Sequence, residues 1–497
     1  MAQSVGQYLK TRVTTLFPSK EEINHEIENI NPFPALAEMT GRQWQFFILG
    51  FLAWSFDAFD YFSVSVNVNY LAEDFGKTVK DITWAMTLVL MLRSVGSVIV
   101  GFAADKYGRK WPLIINMAVL AILEVGTGFV TTFEQFLGVR ALFGIAMGGM
   151  FGVASATALE SAPKKARSAL SGIFQEGYAF GYLLVVALQR GYVKTEKGWR
   201  CLFWTCAPIL VCLICWRLTL PETDAFLQQK LHLQNKKSSF KKDAAEAFRQ
   251  NWLKMIYLVL LMSGFNFMSH GSQDLYPTFL SKQLQFSSNA STVTNVCANL
   301  GAIVGGILFA HFSGLIGRRS SIAICCICGG ALIYPWAFVK GPAINAGAFF
   351  LQFFVQGAWG VVPIHLAELS PPEFKAFVSG VAYQLGNLAS SASSTIETTI
   401  GERFPLPELG EDVYDYGKVM AIFVGCVFGY VLIIALIGPE NRNGEINFKL
   451  DEKEIQELQE DGLISCPQDE EERIGSSEVE ELDEAKNEIH YRENGNV

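Results

Sequence analysis

The chain has 497 residues, 50% of them apolar and 18% charged, with 38 Phe and a formal net charge of −9. Ordinary soluble domains carry about 25% charged residues, so a plain soluble globular protein is excluded at the outset. The apolar residues fall into about twelve blocks of roughly 20, the length at which a helix crosses a ~30 Å hydrocarbon layer. The predicted spans are 44–65, 83–103, 111–131, 136–157, 169–189, 200–219, 252–276, 290–311, 320–339, 343–365, 376–397 and 418–438.

Residues 1–43 are polar and hold no apolar stretch of the signal-peptide kind, so they read as a cytosolic N-terminal region. Span one contains WSFDAFDYF (54–62), which sets Asp57 and Asp60 three residues apart. Two acids so close in a membrane favour protonation of at least one, which suits proton coupling. Arg93 is the sole basic residue inside span two. Its fork of donors matches a carboxylate. Two readings stay open for it: an anchor for an organic anion, or a structural partner of Asp57 or Asp60.

DKYGRK (105–110) follows span two, and PKKAR (163–167) follows span four. Glu124 in span three is an intramembrane acid without an assigned role, as is Glu397 in span eleven. Cys212-x-x-Cys215 in span six has a redox or metal spacing, yet no acid or His stands beside it. Small buried hydrophobes are the better reading. A basic segment from Lys230 to Lys254 lies within the predicted central loop, 220–251, and runs into span seven.

Span seven ends in NFMSHGSQDLYPT (266–278). With Asn266 at zero on a helix of 100° per residue, Ser269 falls at about −60°, Gln273 at about −20°, His270 at about +40° and Asp274 at about +80°. This helix therefore presents one wet face, either a passage for solute or a polar seam between helices. His270 and Asp274, at i and i+4, are close enough to interact. A histidine beside a carboxylate can take up a proton at acidic pH and release it near neutrality.

Asn289-Ala-Ser291 is a glycosylation sequon in a short outward loop, and GRR (317–319) is a further basic loop. Gln356 and His365 in span ten read as packing or gate residues, while Gln384 and Asn387 in span eleven form an i, i+3 amide pair able to hold substrate oxygen. From residue 440 to the end there are 19 acidic and 6 basic residues, so the rest of the chain is about +4. That tail, 439–497, reads as disordered, solvated and cytosolic. Lys449, Lys453 and Lys486 are candidate modification sites for regulatory machinery.

Basic residues concentrate in the loops on one side, which places both termini in the cytosol under the positive-inside rule. QRGYVKTEKGWR (189–200), on the other side, is an exception. The chain also repeats itself. An offset of 209 lays GFAADKYGRK (101–110) on AHFSGLIGRR (310–319), and Asp57 and Asp60 on Asn266 and Ser269. An offset of 208 lays GMFGVASATALESAP (149–163) on GAWGVVPIHLAELSP (357–371), so that Glu160 meets Glu368. Two six-span halves, 44–219 and 252–438, make a duplicated transporter with its substrate between them.

GFAADKYGRK resembles the loop motif G-x-x-x-D-x-x-G-R-K of the major facilitator superfamily, and RALFGIAMGG (140–149) resembles its fourth-helix motif. LPET (220–223) closes span six in the same way. The resemblance implies an all-α fold of twelve transmembrane helices in two pseudo-symmetric halves. It implies gating roles for Asp105, Arg109, Lys110, Arg140, Glu160, Arg318 and Glu368. Gly314 stands where the second loop motif would carry its acid, so a latch built on Asp105 has no twin. Gly144, Gly148 and Gly149 are expected to allow close helix approach.

NFMSHGSQDLYPT is similar to N-x-x-[ST]-H-x-x-Q-D-x-x-x-T, the signature of the fungal Jen family of lactate, pyruvate and related carboxylate permeases. Every specified position matches, and FFVQGAWGVVPIHLAELSPP (353–372) and YQLGN (383–387) are similar too. The resemblance implies a plasma-membrane carboxylate:proton symporter, with Phe180 shaping the passage and Asn266, His270, Gln273 and Thr278 contacting substrate. The expected scheme has Arg93 anchor a carboxylate, helped by Asn266, Gln273, Gln384 and Asn387, while His270 and Asp274, with Asp57 or Asp60, carry the proton. One carboxylate suits the one arginine of span two, Arg93, which favours monocarboxylates. Dicarboxylate transport and a non-transporting sensor are the alternatives. The expected partners are a small organic carboxylate, a proton and the lipid bilayer, without nucleic acid, metal or cofactor. No catalytic constellation stands out, so an enzyme is not expected.

Overall fold

The computed structural model describes residues 30–441 except 193, 236–239, 402 and 409–413, together with a few positions before 30. The tail from 442 onward, with Lys449, Lys453 and Lys486, lies outside the described residues. Among the described residues, ten of the twelve predicted spans are helices long and apolar enough to cross a membrane. These are α1 (Gly41–Val66), α2 (Val79–Tyr107), α3 (Lys110–Phe129), α4 (Phe133–Gly148 continued by Met150–Leu159), α5 (Arg167–Gln175 then Gly177–Tyr192), α6 (Arg200–Thr219), α7 (Phe240–Gln273), α8 (Ser288–Ile316), α10 (Ile344–Gly360 then Val362–Leu369) and α12 (Tyr416–Ile437).

The other two spans are broken helices: α9 (Arg318–Ala331 then Ile333–Ala337) and α11 (Lys375–Ser390 then Ser393–Gly401). Pro335 explains the first break, because its ring clashes with the carbonyl four residues back, at Ala331. In α11 the Ser390 and Ser391 hydroxyls turn back to the carbonyls of Asn387 and Leu388. Such back-bonding competes with the helical ladder. The outward faces of the spans are apolar: Ile122 and Phe129 are 71% and 69% exposed, as befits side chains facing lipid. Cys212 and Cys215 share that outward surface, so they are apolar but not buried as the sequence suggested.

Two boundaries move. The helix of α7 begins at Phe240, inside the predicted central loop, where Phe248 packs tilted on Phe374 and edge-on to Phe377. Asn289 sits in the first turn of α8 rather than in a loop. The basic exception at 189–200 is partly neutralised, since Arg200 pairs with Asp74 at 2.9 Å.

The chain divides into two units, residues 1–223 with 239–446 and residues 224–238 with 447–497. Of the second, the described part is one helix, Asp224–Asn235. The first unit holds both six-helix halves. In the N-terminal half α2 packs on α4 and α3 on α6; in the C-terminal half α8 packs on α10, and α7 and α9 on α12. The halves meet through α2 with α11, α4 with α11, and α5 with α8. Glycines permit the closest approaches: a Cβ on Gly148 would stand 1.8 Å from the Arg93 carbonyl. That contact fixes Arg93 against α4, as the fourth-helix motif led us to expect.

Candidate functional site

Polar residues from both halves converge midway along the bundle. Arg93 (α2) is 2% exposed, and its Nε and Nη2 have no hydrogen-bond partner among the described residues. Asp57 (α1) is 2% exposed, and neither of its oxygens has one. The two act on each other electrostatically without closing an ion pair, and Tyr61, Tyr178, Tyr383 and His270 lie within the same field of Arg93. Of the two readings of Arg93, a structural salt bridge to Asp57 or Asp60 is therefore not what the chain builds. Burying a guanidinium with unmet donors is costly unless a charged partner arrives.

His270 and Asp274 meet as their spacing requires, Nδ1 to Oδ2 at 3.1 Å. Asn387 lies within hydrogen-bonding reach of the same ring. The Asp274 side chain is 36% exposed and His270 13%, so solvent reaches this pair from the end of the bundle opposite the basic loops.

Beneath the polar layer lies an aromatic floor that the sequence did not disclose. Tyr383 of α11 stacks on Phe151 of α4 with centroids 4.1 Å apart, and Trp54 and Trp359 pack on it at 5.8 and 5.5 Å. Both halves contribute, so the floor can part when they separate. Tyr383 was in view within YQLGN, but nothing in one sequence tells a floor tyrosine from a core one.

Below the floor, the basic-loop face is closed by charged groups. Asp105 accepts the backbone N–H of Phe377 at 2.8 Å and of Ala376 at 3.2 Å, bridging the halves. Arg109 donates to Glu160 from Nη2 at 2.7 Å and from Nε at 3.0 Å, and lies 3.3 Å from Asp105. Burial pushes the Glu160 carboxyl up, but Arg109 and Lys375 together outweigh it and hold it below its ordinary value. The repeat supplies Arg318 with Glu368 at 2.9 Å, and Arg318 also donates to Ser168 of the other half at 2.9 Å. Gly314 thus removes the acid from the second latch, and a serine across the interface takes its place.

The structure redistributes other expected site residues. Gln273 donates to Gln352 of α10 at 3.1 Å, and Gln352 to Ser272 at 3.1 Å, a seam between helices. Asn266 bonds its own helix at the Met262 carbonyl, 2.8 Å away, and packs on Gly386. Asn387 donates to Gln384 at 3.0 Å, leaving Gln384 Nε2 buried and unpartnered. Thr278 lies beyond the end of α7, which stops at Gln273, and so is off its wet face. Phe180 is 38% exposed and packs on Phe51, because two residues turn it about 200° from Tyr178. Tyr178, packed on Trp54 and Phe62, is the inward aromatic of α5.

Two expected gate residues stand elsewhere. Arg140 is near the far end, where it pairs with Asp60 at 2.6 Å and donates to Thr127 at 2.7 Å. It stands apart from the Asp105 cluster because α4 enters from the opposite face. Lys110 donates to the carbonyls of Leu218 and Leu220 at 3.0 and 2.6 Å, capping α6 within its own half. Glu440 was not anticipated. It accepts the N–H of Arg318 at 2.9 Å and of Arg319 at 3.1 Å, just as Glu222 accepts those of Arg109 and Lys110. A carboxylate at a helix N-terminus is stabilising. GPEN (438–441) is the faint echo of LPET that signals it.

A family model described as "Sugar (and other) transporter" matches residues 31–446. The chain belongs to that family. This transporter is also 42% identical over 488 residues to a carboxylic acid transporter protein homolog of Saccharomyces cerevisiae, covering 93% of this chain and 79% of the relative. It is 26% identical over 389 residues to a cis,cis-muconate transport protein of Acinetobacter baylyi, covering 76% and 93%. Its fold matches the proton:xylose symporter XylE of E. coli with a TM-score of 0.65 at 17% identity, covering 81% and 97%. That is the twelve-helix, two-domain architecture of the major facilitator superfamily, and the protein is a multi-pass transporter rather than an enzyme.

Proposed function

We propose that this transporter carries a small organic carboxylate across the plasma membrane together with a proton, by alternating access. The observation that carries this reading is Arg93: a buried guanidinium with unmet donors, beside the polar layer and above a floor shared by both halves. A carboxylate would supply the paired acceptors that Asp57 does not. His270 and Asp274, open toward the far end, would load the proton there, and Asp57 and Asp60 would share the charge balance.

The relatives named for carboxylic acids and for muconate support the carboxylate class. The signature in α7 supports lactate and pyruvate as substrates and the plasma membrane as location. The basic loops support a cytosolic placement of the closed face and of both termini. Exchange from closed to open would break the Asp105 bonds to Ala376 and Phe377 and part Tyr383 from Phe151.

The test is uptake of labelled lactate and labelled succinate, at about pH 5 and about pH 7 outside, in yeast lacking its own carboxylate permeases. Lactate accumulation that a protonophore abolishes is the expected result. Uptake unaffected by the protonophore would overturn proton coupling, and binding without accumulation would indicate a sensor. Gln384 favours one second reading, since its unpartnered Nε2 could take the other end of a dicarboxylate. Succinate uptake without lactate would establish it.

A further inference from the structure

Glu176 lies where α5 breaks between its two helical pieces, and it is 5% exposed. Its Oε1 has no hydrogen-bond partner among the described residues. The side chain is pressed into the crossing of α5 with α8, one of the contacts that join the halves. A Cβ on Gly306 would stand 1.9 Å from Glu176 Oε1, so α8 has glycine where the carboxyl lies. Around it, α8 contributes Gly306 and α10 the Gln356 backbone, neither of them charged, while the next residue, Gly177, packs on Trp54 and Ser55 of α1. Of the charged groups on packed elements, Glu160 after α4 pairs with Arg109 and Arg318 of α9 with Glu368 of α10 at the basic-loop face, while Asp57 of α1 and Arg93 act on each other in the polar layer. His365, on the second piece of α10, lies within the electrostatic reach of Arg318 and Arg319. Ser171, one and a half turns below Glu176, already bonds across this interface to Gly360 and Ile364.

An ionised carboxyl enclosed there would be an uncompensated charge within a helix crossing. A protonated one would be a neutral wedge. We propose that Glu176 is a proton-operated latch of the transport cycle: its neutral form completes closure of the α5–α8 crossing, and loss of its proton opens the basic-loop face. This deepens the proton-coupled reading and rests on it. A proton taken up from the far side would stabilise closure of the basic-loop face, and its loss and the parting of α5 from α8, which lets water reach the carboxyl, would favour each other. The residue acts on the equilibrium between conformations and does not touch substrate. Glu176 is therefore a positioning residue.

The experiment reads the conformation directly. Ala367 lines the small cavity on the closed face with Glu160 and Lys375. In the full-length chain carrying Ala367→Cys, labelling by an impermeant maleimide above the level of the parent chain, divided at each pH by the labelling of a free small-molecule thiol to remove the thiolate's own pH dependence, reports opening. Labelling is expected to fall by about threefold or more between about pH 7.5 and about pH 5.5. Glu176→Gln, which is neutral at every pH, should give the slow rate throughout. Gly306→Ala, which forces the carboxyl out of its place, should give the fast rate throughout. A Glu176→Gln protein that keeps the pH-dependent labelling of its parent overturns the latch, as does pH-independent labelling in the parent. Protonophore-sensitive uptake, measured alongside, reports separately on the coupling reading. If uptake ignores the protonophore while labelling still responds to pH through Glu176, coupling fails and the latch stands.

Discussion

Asp60 on α1 and Arg140 on α4 form an ion pair at 2.6 Å, with side chains only 1% and 2% exposed. Phe143 and Phe203 face the guanidinium at 4.3 and 5.2 Å, so the pair is shielded on both sides. Removing one partner from such a pair leaves a bare buried charge, at a cost of about 3–5 kcal/mol. Arg140→Ala should therefore lower the unfolding temperature of the purified protein strongly. The double variant Asp60→Asn with Arg140→Gln should recover part of the loss, because both charges go together. Equal loss in the double variant would show that the pair is not the source.

Arg93 behaves differently, since it has no ion-pair partner among the described residues to lose. Arg93→Ala should leave folding and surface amount intact while abolishing carboxylate uptake. Arg93→Lys keeps the charge but not the fork, and should raise KM by at least about 30-fold, the equivalent of roughly 2 kcal/mol for a charged hydrogen-bonded contact. Concentration-dependent uptake in cells with matched surface expression checks both.

The contact of His270 with Asp274 ties a titratable ring to a carboxylate that solvent reaches. Asp274→Asn removes the charge and retains the shape. It should flatten the pH dependence of uptake while substrate exchange, which needs no net proton movement, persists. Exchange and net uptake measured side by side across pH would separate this from a general loss of activity.

Gly152 of α4 packs on α11, and a Cβ there would stand 2.3 Å from the Ala376 carbonyl. Gly152→Val should hold the basic-loop face open, because that carbonyl is backbone and cannot swing aside. Net uptake should fall with little change in expression, and labelling of Ala367→Cys in the same chain should become fast. Slow labelling with normal uptake would mean that the helices have other ways to adjust.

Glu160 links stability to pH. Its folded carboxyl is held below its ordinary value, so the stability it contributes is fully present above the unfolded value, about 4.3. That contribution is lost as the pH falls below this point toward the depressed folded value. Thermal unfolding of the parent should therefore soften below about pH 4.5. Glu160→Gln should be less stable near neutrality and should lose less on acidification. Parallel pH curves for the two proteins would remove Glu160 as the cause.

The twelve spans, the duplication and the polar face of α7 were legible in sequence because each is a local or periodic signal. Apolar length sets a span, and spacing of three and four residues sets a helix face. The meeting of His270 with Asp274 is of this kind. Even the break in α9 follows from Pro335 alone, although the span prediction passed over it.

What lay beyond the sequence was partnership between distant segments. Asp60 could have paired with Arg93 or with Arg140, and only the approach of α1 to α4 selects Arg140. Gln273 reads as part of a wet face until α10 brings Gln352 against it. The Tyr383 floor, the Asp105 bridge to α11 and the seat of Glu176 on Gly306 all join residues more than a hundred positions apart. Local chemistry determines which groups enter the membrane; helix packing decides which of their charges are met and which are left for a ligand or a proton to meet.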